Sequence, residues 1–263
     1  MNRFRLIALL LPVLLTACAA LPGRYADADA VLTASGLDAQ LAWLRQPLEP
    51  ERSTGPLALI PDDWIRVVNS TVAETLNPGD IRDNLRERIK KDLSGRELAE
   101  VQRFYESGTG RQVVALESGK LDRQLQEPEV AESATLDALA STTGISRAVS
   151  LLAEHALGDA VDIALKQGCL GHEKTPFASL VGGVMKKAQL SALRNAVNER
   201  MRQRYAALSS AEQRDFLDFA QSRAGRKFFS ARTAVMSDAA QRAGTALGTV
   251  LTPRISAVCK ATG

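Results

Sequence analysis

The chain repeats itself. Residues 93–111 read L-S-G-R-E-L-A-E-V-Q-R-F-Y-E-S-G-T-G-R and residues 208–226 read L-S-S-A-E-Q-R-D-F-L-D-F-A-Q-S-R-A-G-R. Leu93/Leu208, Ser94/Ser209, Glu97/Glu212, Phe104/Phe219, Ser107/Ser222, Gly110/Gly225 and Arg111/Arg226 coincide without a gap. A second correspondence lies upstream, where residues 31–37 match residues 139–145, each a helix end at a glycine followed by a new apolar pattern. A repeat of this length holds several helices, so the chain divides into a first module over residues 27–132 and a second over residues 133–263. Extra residues at 167–176 of the second module carry Gly168, Cys169, Gly171 and Pro176, which mark a loop. Two separate subdomains and two halves of one bundle both satisfy this pattern.

The repeated motif has a physical reading that needs no chemistry. Ser94-x-x-Glu97 and Ser209-x-x-Glu212 are capping boxes, in which the serine oxygen accepts a backbone N–H and the glutamate reaches back to the cap residue. Leu98, Val101, Phe104 and Tyr105 then share one helix face, as do Phe216, Phe219 and Ala220, at the spacing of a core-facing stripe. Ser107 and Ser222 are placed to end that helix and cap the next. Gly110 and Gly225 three residues on permit two backbones to approach closely at the corner. Arg111 and Arg226 fall at the start of a helix, an unfavourable end for a cation, so each is expected to reach a carboxylate or a neighbouring carbonyl.

The fold class expected is all-α, two tandem homologous helical modules. Helix-favouring residues dominate where Val, Ile, Tyr and Trp would mark strands. With 5% aromatic residues, the core is expected to be aliphatic and closely packed. The amino terminus adds a targeting segment. Arg3 and Arg5 precede an apolar run at residues 6–15 that is too short to span a bilayer, and Leu15-Thr16-Ala17-Cys18 follows. This resembles the signal peptide of a bacterial lipoprotein, over residues 1–17. The resemblance implies acylation at Cys18, a lipidated tether over residues 18–26, and, with Ala19 next to the cysteine, the periplasmic face of the outer membrane. Two or three acyl chains hold a protein on a membrane far more firmly than one. Without Arg3 and Arg5 the 33 basic residues fall to 31 against 30 acidic ones, so the mature chain is nearly neutral and no nucleic-acid partner is expected.

Cys169 and Cys259 remain after lipidation, in a compartment expected to be oxidising. A disulfide between them closes a loop of roughly 90 residues and stabilises by about 4 kcal/mol in the chain-entropy model, provided the two Cα atoms lie within about 7 Å. The alternative is a pair of buried thiols. His172 near Cys169 does not complete a set of metal ligands, and no metal or cofactor is expected.

At the motif the chain resembles a bacterial family of helical periplasmic proteins known as the domain of unknown function twenty fifty-nine. The family's pattern is L-[ST]-x-x-E-[LI] followed by F-Y-x-[ST]-x-x-G-[RK]. The first copy matches it at Leu93, Ser94, Glu97, Leu98, Phe104, Tyr105, Ser107, Gly110 and Arg111. The second departs at Gln213 and Ala220, where the family has Leu and Tyr. The resemblance implies a helical fold and an envelope address, and it implies no catalytic residue.

Catalytic constellations are scarce. The sequence holds no H-E-x-x-H, G-x-S-x-G, S-x-x-K, Walker A or C-x-x-C pattern. His155 sits in a helical pattern, and His172-Glu173 sits in the glycine-rich insert. Asp62-Asp63 reads as a helix start, and Asp159 with Asp162 also fits helix signals. Arg86, Arg88, Lys90 and Lys91 beside Asp80, Asp83, Glu87 and Asp92 form a solvated face of mixed sign. Three function classes follow. The first, a non-catalytic structural or protein-interaction lipoprotein with an unidentified envelope partner, needs only the features seen. A carrier or sensor of an apolar ligand requires a cavity lined by residues such as Phe104, Phe219, Phe228 and Phe229. An envelope hydrolase requires carboxylates converging in one cleft.

Overall fold

In the computed structural model, residues 27–43, 62–119, 133–142 and 194–262 are described, with scattered further positions between 144 and 192. Among them every regular element is a helix: α1 Ala28–Ala34, α2 Leu37–Trp43, α3 Asp62–Thr75, α4 Pro78–Asp92, α5 Gly95–Glu106, α6 Gly108–Glu117, α7 Ser133–Thr142, α8 Ser210–Gln221 and α9 Arg223–Thr262. Residues 194–205 are helical as well and lead into α8.

Local chemistry sets the starts and stops. Asp27 caps α1 by accepting from the Ala30 N–H, and Asn77 caps α4 just before Pro78, whose missing N–H costs nothing in the first turn. Lys90 and Lys91 close α4 at the end where cations are favoured. Gly36 and Gly144 both take φ of 68°, a left-handed geometry that β-carbon sterics make costly for other residues, at the ends of α1 and α7. The α4 face of mixed sign is exposed and pairs within itself, Arg88 to Asp92 at 2.5 Å and Lys90 to Glu87 at 3.3 Å. Arg82 reaches further, to Asp38 of α2 at 2.6 Å and to Asp29 of α1 at 3.4 Å.

The long α9 is the organising element. It packs against α3, α4, α5 and α8, while α1 lies on α4 and α5, and α8 also touches α6 and α7. Ala231, Ala239 and Ala243 are buried along α9, and such small side chains let neighbouring helices come near. Buried residues from Ala28 to Ala243 form one continuous core. Both copies of the motif therefore contribute to a single interior, not to two separate ones.

That interior is mostly aliphatic, as expected, and holds one aromatic cluster. Phe104, Phe216, Phe219, Phe228 and Phe229, five of the seven phenylalanines, join Tyr105 and Tyr205 in one chain of ring contacts. These rings gather where the two motif copies meet, Phe219 joining through Phe104 and Tyr105.

Candidate functional site

Each motif copy builds a helical corner of the same geometry. In the first, Ser94 N–H and Oγ–H donate to Glu97 Oε2 at 2.7 and 3.0 Å, and Ser94 Oγ accepts from the Glu97 N–H at 3.3 Å. In the second, Ser209 and Glu212 repeat these bonds at 2.8, 2.7 and 3.3 Å. Ser107 ends α5 and caps α6, its Oγ accepting from Gly110 N–H at 3.0 Å, and Ser222 does the same for Gly225 at 3.0 Å. A β-carbon at Gly110 would lie 2.0 Å from the Phe104 carbonyl oxygen, and one at Gly225 would lie 1.9 Å from that of Phe219. The glycines are required because backbone, which cannot be displaced cheaply, occupies the space.

The two arginines resolve the electrostatic conflict posed by their position. Arg111 Nη1 donates to the carbonyl of Glu106, and Arg226 Nη1 to that of Gln221. These are the last residues of α5 and α8, whose carbonyls have no partner within the helix. Each arginine therefore starts one helix but places its charge at the negative end of the previous one.

The two corners face each other through equivalent positions. Phe104 stacks on Phe219 with ring centroids 3.9 Å apart and planes 7° from parallel. At the same sequence separation, 115 residues, Arg232 Nη1 donates to Glu117 Oε2 at 3.3 Å. Both contacts join equivalent positions of the two copies.

Glu117 is the hub of a buried polar cluster that links four helical segments. Its side chain is 2% exposed and that of Arg232 is 8% exposed, so neither charge is hydrated in the ordinary way. Glu117 Oε1 accepts from the Tyr205 hydroxyl at 2.6 Å, and Oε2 accepts from Gln40 Nε2 at 2.7 Å as well as from Arg232. Arg232 also lies 6.0 Å from the Phe229 ring centre. Burial opposes the Arg232 charge, but Glu117 together with the Tyr105 and Tyr205 hydroxyls raises the arginine's pKa. Burial, followed by the Glu117 charge, pushes both the Tyr105 and Tyr205 hydroxyls well above the ordinary tyrosine range. Both phenols stay protonated near neutrality, which suits Tyr205 as a donor. Such a satisfied, water-excluded pair fixes which helices meet and offers no free acid or base.

A second link crosses the corners near the surface. Glu97, already part of its capping box, accepts from Lys227 Nζ at 2.8 Å and lies 2.9 Å from Arg223 Nε. Lys227, followed by the Ser94 N–H, lowers the Glu97 carboxyl to about 2. Thr109 Oγ1 in α6 donates to Asp215 of α8 at 3.1 Å.

Motif residues Ser94, Glu97, Phe104, Tyr105, Ser107, Gly110 and Arg111 build one corner and Ser209, Glu212, Phe219, Ser222, Gly225 and Arg226 the other, and the two corners share one core in which Phe104 meets its counterpart Phe219. Phe104, Phe219, Phe228 and Phe229, the candidate walls of an apolar cavity, are in ring contact within it. Cys18, Cys169, His172, Asp159 and Asp162 lie outside the described residues, and the side chain of Cys259 in α9 does too. His155 is partly buried in a short helical stretch. Gln40, Glu117, Tyr205 and Arg232 lie outside the repeated motif. Extending the repeat six residues past Arg111 and Arg226 would have found two of them, opposite charges at equivalent positions beside the apolar Leu116 and Ala231. Comparisons with protein-family models, curated proteins and solved structures find no match for this chain.

Proposed function

We propose that this chain is a non-catalytic lipoprotein of the bacterial envelope, anchored through Cys18 to the periplasmic face of the outer membrane, whose helical unit serves a structural or protein-interaction role. In this reading the two modules, residues 27–132 and 133–263, are copies of a helical domain of the unknown-function family named above, fused so that their corners form one core. The observation that supports it most is the use of the motif residues: the serine caps of both copies, Gly110 and Gly225, and Arg111 and Arg226 are engaged in building corners. The buried charges satisfy one another, which leaves the outer surface to meet a partner. Among the described residues no helix is long and apolar enough to cross a membrane; in this reading attachment is through the acylated cysteine. Pairing of Cys169 with Cys259 belongs to the same proposal, and non-reducing peptide mapping would detect it.

Cross-linking the intact protein in its native envelope tests the role. A reproducible partner captured on the exposed faces of α4 or α8 supports it, whereas capture of no protein across such positions counts against it. The anchor is tested separately: Cys18→Ser should move the protein from the membrane fraction to the periplasmic extract, and unchanged membrane retention would refute the anchor.

A further inference from the structure

Beside the paired corners, α9 presents a cleft of about 530 Å³, lined by Arg147, Arg226, Phe229, Ser230, Thr233 and Ser237 among others. The volume lies in the range of roughly 300 to 1,000 Å³ usual for small-ligand sites. Arg226, Ser230, Thr233 and Ser237 fall three or four residues apart, so they form one stripe along the helix. The helical hydroxyls of the described residues fall into two groups. Ser70, Ser141 and Thr249 each donate back to a carbonyl three or four residues earlier. The side-chain hydroxyls of Ser230, Thr233 and Ser237, like those of Thr71 and Thr245, make no hydrogen bond among the described residues. Ser237 is 8% exposed, and its Oγ is buried without a partner. A buried unpaired hydroxyl is destabilising unless a further group meets it.

The cleft also has a fixed wall. Gly144 abuts Thr233 so closely that a β-carbon there would lie 2.1 Å from Thr233 Oγ1. Its charge is mainly positive: Arg147 makes no ion pair among the described residues, and Arg226 has donors left beyond the one given to Gln221. Asp238 is the opposing charge among the described lining residues, and it acts on Arg88 of α4. Guanidinium groups favour a carboxylate through charge-assisted bonds, a row of hydroxyls suits the alcohol groups of a ligand, and the Phe229 face suits its carbon skeleton.

We propose that this cleft binds a small hydroxylated carboxylate, a sugar acid or hydroxy acid, with its carboxylate on Arg147 and Arg226 and a hydroxyl on Ser237. This goes beyond the interaction role and does not depend on it. Calorimetric titration of the full lipidated protein in detergent, with gluconate as the probe and neutral sorbitol as its control, tests the assignment. Gluconate should bind saturably and at least tenfold more tightly than sorbitol. Arg147→Gln should weaken gluconate about tenfold and leave sorbitol unchanged. Ser237→Ala should weaken gluconate at least fivefold while the unfolding midpoint stays constant or rises. Undetectable gluconate binding, equal affinity for gluconate and sorbitol, or gluconate affinity unchanged in either variant would overturn the proposal and leave a water-filled cleft.

Discussion

The two helical corners share their backbone devices and differ in where they place their bulk. The corner α5/α6 carries Leu98 and Tyr105 on its first helix with Val113 and Val114 on its second. The corner α8/α9 has Gln213 and Ala220 on the first helix, with Phe228 and Phe229 on the second. Tyr105 crosses the seam to meet Phe219 at 5.8 Å and Phe228 at 5.7 Å, so one large ring serves both sides of the junction. The buried Gln213 donates its amide to the Leu208 carbonyl at 3.0 Å, which makes a polar residue tolerable where the first copy has leucine. Caps and glycines answer to local backbone geometry and are kept in both copies. Side-chain volume answers only to the sum across the interface, so it can be redistributed between them.

The charge pair is the sharpest departure from likeness, since equivalent positions hold Glu117 and Arg232. Replacing one partner should have the largest effect: Glu117→Gln or Arg232→Met should each destabilise by about 3–5 kcal/mol, because the other charge is left buried. The double variant Glu117→Leu/Arg232→Met should cost clearly less than the sum of the two single changes in denaturant unfolding. Additive costs would mean that the residues act independently despite their contact.

The glycines test what the copies have in common. Gly110→Ala and Gly225→Ala should each cost about 3 kcal/mol, as overpacking against immovable backbone does. A marked inequality in unfolding midpoints would show that the corners are not mechanically alike. The stacked rings test the opposite point. Phe219, 7% exposed, should lose about 3 kcal/mol on change to alanine, and the half-buried Phe104 about 2 kcal/mol. Equal losses would place the two rings on the same footing in the core.

The smallest effect is one of pH. The Glu97 carboxyl is lowered from 4.5 to about 2 in the folded protein, so the ionised form is favoured by folding. The resulting stability is present above the unfolded-state value and is lost as pH falls from about 4.5 toward 2. Lys227→Met should raise the Glu97 pKa toward the ordinary carboxylate range, measured by NMR titration, and should flatten the acid limb of the stability profile. An unshifted Glu97 would assign its low value to the capping box alone.

Much of the local structure was legible in the sequence. Ser94 and Ser209, each followed by glutamate three residues on, predict capping boxes because those bonds lie within four residues of chain. Gly110 and Gly225 predict close corners for the same reason. The clustering of the aromatic residues was not legible in the composition, because a low average says nothing about where the rings gather. Nor were Gln40, Glu117, Tyr205 and Arg232 recognisable as one site, since their bonds span 77 to 115 residues of chain. The sequence by itself determined an all-helical chain with two like corners, since caps, turns and apolar periodicity are set by near neighbours. Only the tertiary structure decided that the corners share one core, with Phe104 on Phe219 and Glu117 on Arg232. That choice depends on how volume and charge complement each other across the seam, and neither quantity belongs to one segment alone.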